Sequence, residues 1–300
     1  MKTLKQEITE AVEQDLAAIE EELVNNLDPY LELVRQVASH ILFSGGKRLR
    51  PLLTVLCARL CGASGEEPYQ MGVVFEYLHA ATLLHDDVVD SSGTRRSAPA
   101  AHTVYGYQTA VLTGDYLFAR ACSMATKTGR LPVIQTITDV AAVMSQGEIQ
   151  QMKNHGNIHL TEDEYLEVIK NKTAVLISGA CRVGALCADA DPGAVEALAR
   201  FGMDLGMAFQ MVDDLLDYTA DPKAAGKPLG QDLKEGKLTL PLIHALHKAS
   251  SLDRFRMAKI IGSGHCSEAD FALILSRIRA AGGLAYTRQK AKKFIQSARK

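Results

Sequence analysis

Three carboxylates lie close together in an otherwise apolar stretch, "LLHDDVVDSSGTRR" at residues 83–96. Asp86, Asp87 and Asp90 are spaced i, i+1, i+4, so a helix there places Asp86 and Asp90 on one face, a single turn apart. Like charges held this close repel each other, and burying them without a partner is costly. The pattern therefore predicts that a cation neutralises this cluster.

The same spacing returns in "FQMVDDLLDY", where Asp213, Asp214 and Asp217 lie in a second apolar helical stretch. One such cluster is often only an exposed turn of helix, but two in apolar surroundings are hard to dismiss in that way. Oxygen ligands with open positions suit Mg²⁺, which is commonly shared with phosphate oxygens, and neither cluster has the His and Cys set of a zinc site. Helix geometry turns His85 away from Asp86, which favours a packed or hydrogen-bonded core histidine.

Four segments supply the cations that a diphosphate would need, because guanidinium forks and lysine ammonium groups bind phosphate. Each segment alone is more often a solvated charge than a ligand. Together with the acidic clusters they indicate an arrangement of carboxylates, metal, diphosphate and basic side chains. The segments are "SGGKRLRP" with Lys47, Arg48 and Arg50, the pair Arg95 and Arg96, "KNKTAVL" with Lys172 and Thr173, and "GKPLGQDLKEGKLTLP" with Lys227 and Lys237.

Helical periodicity dominates the elements that must carry these residues, and alternating strand patterns are nearly absent. Apolar residues from Leu4 to Leu23 form one helical stripe. No fixed repeat and no long polar linker divides the chain, which predicts one all-α domain of roughly a dozen helices over residues 1–300. The further predicted helices are 29–43, 50–61, 68–90, 108–127, 132–153, 162–187, 193–218, 238–248, 253–262, 267–281 and 284–299.

Composition argues against a nucleic-acid-binding, disulfide-linked, secreted or membrane-spanning protein. Hydrophobic residues make up 47% of the chain and charged residues 23%, with a net charge of −2, so no global field draws nucleic acid or an anionic membrane. The six cysteines form no CxxC pair and predict reduced thiols. The charged N-terminal stretch predicts no secretory signal, and the apolar run 174–190 is too short to span a bilayer. We expect a cytoplasmic protein without stable membrane insertion or a nucleic-acid partner.

In chain order, the motifs SGGKRLRP, EYLHAATLLHDDVVD, RR, GDYL, GEIQQ, KTA, FQMVDDLLD and GKPLGQDLKEGKLTLP run from about residue 40 to residue 241. In this order the sequence resembles the trans-isoprenyl (polyprenyl) diphosphate synthase family, and its medium- and long-chain members in particular. The resemblance implies the isoprenoid synthase type I fold, a single large helical bundle around a central cavity. It also implies that the two Asp-rich helices face each other at the cavity mouth and that the protein is a homodimer.

The resemblance further assigns roles to individual residues. It implies that Asp86, Asp90 and Asp213 are ligands of about three Mg²⁺ ions per active site, and that Asp87, Asp214 and Asp217 shape the field or bind the metal through water. The implied allylic diphosphate ligands are Arg95, Lys172, Thr173, Gln210, Lys227 and Lys237. The implied metal-free site for isopentenyl diphosphate consists of Lys47, Arg50, His79 and Arg96. Of these, Asp86, Asp90, Asp213, Lys172 and Arg95 are the implied catalytic residues.

The activity implied by the resemblance is prenyl transfer. An allylic diphosphate (dimethylallyl, geranyl, farnesyl or geranylgeranyl) ionises, the double bond of isopentenyl diphosphate attacks the cation, and loss of a proton leaves a chain five carbons longer. Stabilisation of charge on the departing diphosphate by Mg²⁺ and cationic side chains fits this chemistry. The released diphosphate is the base in this family, so no dedicated His or Glu base is expected.

Product length in this family depends on bulk just before the first Asp motif. Ala81 and Thr82 are small there, which predicts a product longer than farnesyl, although Leu78 is a further candidate for closing the cavity. Two departures from the family pattern, Ser97 after the arginine pair and Tyr107, concern the loop geometry and not the metal ligands. We keep two alternatives, a class I terpene cyclase and a non-catalytic subunit of a heteromeric synthase. The second Asp motif and SGGKRLRP disfavour the cyclase, and the intact Asp motifs disfavour the subunit.

Overall fold

The computed structural model describes residues 4–96, 98–220 and 229–300, and this part of the chain is almost entirely helical. The predicted all-α class is confirmed, and nearly all predicted helices begin and end within a few residues of the observed ones. The helices are α1 Leu4–Ala11, α2 Glu13–Asn26, α3 Glu32–Leu42, α4 Leu49–Leu60, α5 Glu67–Val89, α6 Ala101–Tyr105, α7 Tyr107–Lys127, α8 Leu131–Lys153, α9 Glu162–Ile169, α10 Val175–Cys187, α11 Pro192–Thr219, α12 Gln231–Lys234, α13 Leu240–Lys248, α14 Ser251–Gly262, α15 Glu268–Ala281 and α16 Gly283–Ala298. A two-residue strand β1 (Thr94–Arg95) pairs antiparallel with β2 (Ala98–Pro99).

Two predicted helices are divided in the structure. The stripe from Leu4 to Leu23 breaks at Val12, whose φ of −117° separates α1 from α2. The stretch 162–187 contains a π-helical turn, Lys170–Ala174, between α9 and α10. Gly147 of α8 explains how the chain packs there, because a Cβ at this position would lie 2.6 Å from the backbone nitrogen of Lys172. Single π-helical turns often mark functional sites.

Local signals in the sequence account for several helix ends. Thr161 caps α9 through a capping box with Glu164, whose side chain accepts from the Thr161 backbone N–H at 2.8 Å. Ser267 caps α15 with Asp270 in the same way. Gly282 ends α15 in the left-handed region (φ 76°), where glycine carries no steric penalty.

The chain forms two compact units, and the first comprises the described residues up to Ala141 together with Ile177–Ala199. Its central element is α5, which is buried along most of its length because apolar residues cover its whole circumference. Small residues let neighbouring helices approach α5. A Cβ at Gly72 would lie 3.0 Å from Pro51 of α4, and one at Gly114 of α7 would overlap the ring of His85. The end of α5, which carries the first acidic cluster, is thus held rigidly.

The second unit comprises Ala142–Leu176 and Arg200–Lys300. Its apolar core joins α9, the later part of α11, and α13 to α16, with Met211, Leu240, Leu242 and Ile274 fully buried. This core fixes the part of α11 that carries the second acidic cluster.

No helix among the described residues combines the length and the apolar character needed to cross a bilayer.

Candidate active site

The first acidic cluster closes α5. Asp86 and Asp90 are both half-buried, and the Asp90 backbone N–H donates to the Asp86 carbonyl at 2.8 Å, which places them one turn apart as predicted. His85, beside them, lies within hydrogen-bond distance of the Val111 carbonyl, 3.1 Å from Nε2, and packs against α7. The predicted hydrogen bond of His85 is therefore confirmed, but its side chain is 38% exposed and lies 3.4 Å from Asp115, so it is not a core histidine. Two carboxylates of this cluster remain at the surface of the unit.

Asp87 differs from Asp86 and Asp90 because it is buried, and it pairs with Arg95. Arg95 in β1 donates through Nε to both Asp87 oxygens at 2.8 Å, and its Nη2 lies 2.6 Å from Oδ1. Burial lowers the pKa of Arg95, but the hydrogen bonds and charge of Asp87 outweigh it and raise that pKa above its ordinary value. Arg95, which the resemblance placed on the allylic diphosphate, here joins the loop after α5 to α5 itself.

The segment "SGGKRLRP" contributes one arginine to the protein interior. Arg48 is buried, and its backbone lies in the left-handed region (φ 47°). Its guanidinium donates to Glu20 at 2.6 Å and to Glu76 at 2.9 Å. A third bond from Arg48 reaches the Leu42 carbonyl at 2.8 Å. Because two carboxylates neutralise it, Arg48 anchors this loop. Lys47, next to it, is exposed.

Arg50, His79 and Arg96 form a cationic cluster within the first unit. Burial lowers the pKa of Arg50, and the charge of Arg96 lowers it further, against the opposing charge of Glu76. The buried Nε of Arg50 has no hydrogen-bond partner among the described residues. Burial also lowers the pKa of His79 well below its ordinary value, followed by the charges of Arg50 and Arg96. Burial and the charge of Arg96 together outweigh the charge of Glu76 on Arg50, so an anion bound here would be stabilised.

Gly46 leaves room for this cluster. Its φ is 153°, and a Cβ there would lie 3.3 Å from Nη1 of Arg96 and 3.6 Å from Nη1 of Arg48. The glycine in "SGGKRLRP" thus permits the close approach of two guanidinium groups to the loop backbone.

The residues predicted to set product length lie on the same helix as His79. Leu78 and Ala81 are buried, with 2% and 3% of their surfaces exposed. Thr82 is half-buried, and its hydroxyl donates to the His79 carbonyl at 2.8 Å. Tyr77 is fully buried and donates to the Leu23 carbonyl at 3.0 Å, so its ring is fixed in the core of the first unit.

The second acidic cluster, on α11, places its three carboxylates in different surroundings. Asp213 is exposed, Asp214 is buried and Asp217 is half-buried. Asp214 accepts hydrogen bonds from Tyr165 at 2.5 Å and from Gln210 at 2.8 Å, and Thr173 donates to Gln210 at 2.9 Å. A continuous hydrogen-bond chain therefore links the π-helical turn to the acidic motif.

Asp217 organises the loop that follows α11. Its carboxylate accepts the backbone N–H groups of Gln231 at 3.0 Å and Asp232 at 3.2 Å, and its carbonyl accepts that of Gly230 at 2.9 Å. Burial raises the pKa of Asp217, and the two hydrogen bonds to its carboxylate oppose that rise. Asp217 thus holds the start of α12. Lys227, which the resemblance assigned to the diphosphate, lies outside the described residues, as does Ser97.

A pocket in the second unit collects most of the residues assigned to the allylic diphosphate. Its lysines are already engaged by carboxylates, since Lys172 lies 2.5 Å from Glu148 and 2.8 Å from Gln151, and Lys237 lies 2.8 Å from Glu235. A pocket lined by both lysines and acids can bind an anion that comes with divalent cations. The lining includes Gln151, Lys172, Thr173, Gln210, Asp214, Asp232 and Lys237.

Sequence reasoning missed several partners in these clusters. Tyr165 is buried against Asp214 but has no local signal, because the contact spans 49 residues. Burial raises the pKa of Asp232 well above its ordinary value, and the charges of Asp214 and Asp217 add to this effect. Asp232 and Glu148 belong to the sequence motifs GQDLKEGK and GEIQQ. The sequence therefore shows these residues but does not show that they lie close to Asp214 and to Lys172.

Burial is also the main cause of the shifted pKa of Asp214. It raises the pKa of this carboxyl to about 7, and the charges of Asp213 and Asp217 act in the same direction. Hydrogen bonds from Tyr165 and Gln210 oppose this rise. The native protein therefore holds the Asp214 proton more tightly than the unfolded chain, where the ordinary value near 3.8 applies. This group's contribution to stability is present in full below that ordinary value and is lost as pH rises through the native pKa.

We expect Asp214→Asn to gain stability relative to the wild type as pH rises from about 4 to about 7. Asparagine resembles the protonated carboxyl and cannot ionise. The variant therefore does not lose the stability that the wild type loses as Asp214 ionises across this pH window. Thermal melts of both proteins in chelator-containing buffer measure the difference in Tm at each pH. The exposed Asp139 supplies a control, Asp139→Asn, whose Tm difference should stay constant, and parallel curves for Asp214→Asn would contradict the buried-proton account.

Among the described residues, no group of three or more His, Cys, Asp or Glu side chains converges closely enough to hold a metal ion. The acidic clusters nevertheless offer carboxylate oxygens alone, a donor set that fits a hard divalent cation. A metal bound there needs further oxygen ligands, and phosphate oxygens are suitable.

The sequence and the fold both match known proteins. Residues 31–278 match the family model described as Polyprenyl synthetase. Octaprenyl diphosphate synthase of Escherichia coli (strain K12) is 38% identical over 289 residues, 95% of this chain and 88% of that protein. Heptaprenyl diphosphate synthase component 2 of Geobacillus stearothermophilus is 36% identical over 265 residues, 88% of this chain and 82% of that protein. A solved polyprenyl synthase from Caulobacter crescentus CB15, complexed with calcium and isoprenyl diphosphate, has a TM-score of 0.92 at 36% identity and covers 97% of this chain and 88% of that one.

Proposed function

The chain belongs to the polyprenyl synthetase family and is a prenyltransferase. We therefore propose that it joins isopentenyl diphosphate head-to-tail to an allylic diphosphate. We also propose that it releases an all-trans product longer than farnesyl. One observation carries the proposal. Helix α5 presents His79, inside a cationic cluster, and Asp86 two turns later, about 10 Å along the axis, with Asp90 one further turn on at the C-cap. A single rigid helix thus serves two diphosphates that are held by different chemistry.

The carboxylate site fits divalent metal. Asp86 and Asp90, together with Asp213 of the second motif, would hold the ions, which we propose are Mg²⁺, about three per active site. The donor set is oxygen only, and the neighbouring Asp87 is already neutralised by Arg95. When bound, the metal stabilises negative charge on the departing diphosphate. The relative from Caulobacter crescentus, solved with calcium and isoprenyl diphosphate, supports this chemistry.

The remaining residues orient the allylic diphosphate. Lys172 and Thr173 project from the π-helical turn, and the bonds of Thr173 and Asp214 to Gln210 fix the turn against α11. Lys237 follows the loop that Asp217 holds. We propose that these side chains, with Arg95 and Lys227, grip the diphosphate and that Asp214 and Asp217 act on the field around it.

The cationic cluster receives the second substrate. We propose that Arg50, Arg96 and Lys47 bind the diphosphate of isopentenyl diphosphate without metal, and that neutral His79 donates one N–H to it. No side chain in this arrangement is required as the base, because the released diphosphate can accept the proton lost after condensation.

We further propose that residues 1–300 act as a single synthase domain and that the protein works as a homodimer in the cytoplasm. The similarity to a protein named as component 2 of heptaprenyl diphosphate synthase makes the subunit alternative worth testing directly. The names of both curated relatives, octaprenyl and heptaprenyl synthase, support a product longer than farnesyl.

One incubation separates these readings. The purified chain alone is given Mg²⁺, farnesyl diphosphate and labelled isopentenyl diphosphate, and the products are separated by chromatography. An elongated diphosphate supports the proposal. A hydrocarbon product would instead indicate a cyclase, and the absence of any product would indicate a subunit that needs a partner.

We expect Ala81→Phe to shorten the product by at least one isoprene unit. The bulk enters a buried position on α5 between His79 and Asp86, and the side chain cannot turn out to solvent. Chromatography of the dephosphorylated products measures the chain length. Ala80→Phe adds the same bulk about 100° around the helix and is the matched control. An unchanged product from a folded Ala81→Phe enzyme would remove Ala81 from the length-determining set.

A further inference from the structure

The net charge of −2 conceals a strong asymmetry along the chain. Residues 251–300 contain eleven Lys or Arg residues and three Asp or Glu residues, a formal charge of +8. The rest of the chain is correspondingly acidic. The two diphosphate sites proposed above do not use any of these eleven cations.

Helix α16 carries a large part of this charge on one face. Arg288, Lys292 and Lys293 are exposed, whereas Thr287 and Ala291 are buried against the core of the second unit. None of the three exposed cations forms an ion pair within the part of the chain that the structure describes. The helix has no acidic residue, and Arg299 and Lys300, which follow it, are exposed as well.

Helix α14 combines cations with apolar side chains. Leu252, Phe255, Arg256 and Lys259 are spaced i, i+3, i+4, i+7 and therefore share one face. Leu252 is 59% exposed and Phe255 68% exposed. The opposite face, with Met257, is buried. Large apolar residues that alternate with cations on an exposed helical face are typical of helices that lie in the membrane interface.

We propose that α14 and α16 dock this protein on the surface of an anionic phospholipid bilayer. The cations of α16 attract the negative lipid headgroups, while Phe255 and Leu252 enter the boundary between headgroups and acyl chains. Both helices pack against α15 and contribute to the apolar core of the second unit, so they belong to one substructure. An RNA partner would account for the cations but would leave exposed Leu252 without a role. The proposal goes beyond the proposed function, because it does not depend on which prenyl product is made.

The test is co-sedimentation of the full chain with vesicles. We expect binding to phosphatidylcholine vesicles that contain phosphatidylglycerol, little binding to phosphatidylcholine alone, and release at high salt, because salt screens exposed charges. Lys292→Glu combined with Lys293→Glu should weaken binding about tenfold or more, since it replaces attraction by repulsion. Leu252→Ser combined with Phe255→Ser should also weaken binding, although it leaves the charge unchanged.

A matched control changes net charge equally at another place. Lys127 and Arg200 are exposed and lie outside both helices, and Lys127→Glu combined with Arg200→Glu should retain vesicle binding. Prenyl transfer by the Lys292 and Lys293 variant in vesicle-free buffer should remain at the wild-type rate, which separates this test from that of the proposed function. Equal loss in the control variant would overturn the docking surface, and so would binding to polyuridylate without binding to vesicles.

Discussion

Asp86→Ala is expected to lower kcat by about 10³-fold or more while leaving the far-UV circular dichroism of the protein unchanged. Asp86 lies at the end of a helix that is rigidly packed on α4 and α7, and its half-buried carboxylate contributes nothing to the apolar core. Its removal takes away an oxygen ligand where charge on the leaving diphosphate must be neutralised. Steady-state kinetics at saturating Mg²⁺ and both substrates measure the effect.

The exposed Asp139 on α8 provides the control, because Asp139→Ala also removes one helical carboxylate. The control should keep the wild-type kcat. A second measurement, the apparent Mg²⁺ affinity, should weaken in Asp86→Ala and stay constant in Asp139→Ala. A near-normal kcat in a folded Asp86→Ala protein would contradict the metal role of the first cluster.

The positions of the helices were largely predictable because periodicity and end signals are local. The predicted helix 267–281 was observed as Glu268–Ala281, with Ser267 at one end and Gly282 at the other. The π-helical turn Lys170–Ala174 was not predictable in this way. It depends on the close approach of Gly147, 23 residues before Lys170, and no local pattern encodes that contact.

The acidic clusters were predictable for a similar reason, since a spacing of four residues places Asp86 and Asp90 on one face whatever the surroundings. The hydrogen-bond partners were not. Tyr165 reaches Asp214 across 49 residues of chain, and Glu20 reaches Arg48 across 28. Such contacts follow from helix packing, which a single sequence does not show.

Basic residues illustrate the same limit more sharply. Arg48, Arg50 and Arg95 are indistinguishable by residue type, yet Arg48 binds two carboxylates and Arg95 binds Asp87. Of these three arginines, Arg50 alone keeps a buried donor, its Nε, without a hydrogen-bond partner among the described residues. Residue type alone therefore does not show which arginines are paired inside the protein and which one keeps a donor for a ligand.

The surroundings of Arg50 argue that this ligand is an anion. Burial of the Arg50 guanidinium costs stability, the charge of Arg96 adds to the cost, and the charge of Glu76 offsets only part of it. His79 is kept neutral by burial and by the same cations, so it adds a hydrogen-bond donor but no further charge. A diphosphate would satisfy the orphaned donor and offset the repulsion at once.

Arg50→Gln is therefore expected to raise the KM for isopentenyl diphosphate about 10- to 100-fold, the loss of one or two charge-assisted hydrogen bonds, and to leave the KM for the allylic diphosphate within about twofold. Arg50→Lys keeps the positive charge but lacks the forked guanidinium. Its KM for isopentenyl diphosphate should therefore fall between the values of the wild type and of Arg50→Gln. Arg200→Gln, at an exposed position of α11, should match the wild type. Initial rates with each substrate varied in turn measure both constants. An equal rise in both KM values would mean that Arg50 only stabilises the site as a whole. A cationic cluster that binds isopentenyl diphosphate without metal predicts that the KM for this substrate alone rises.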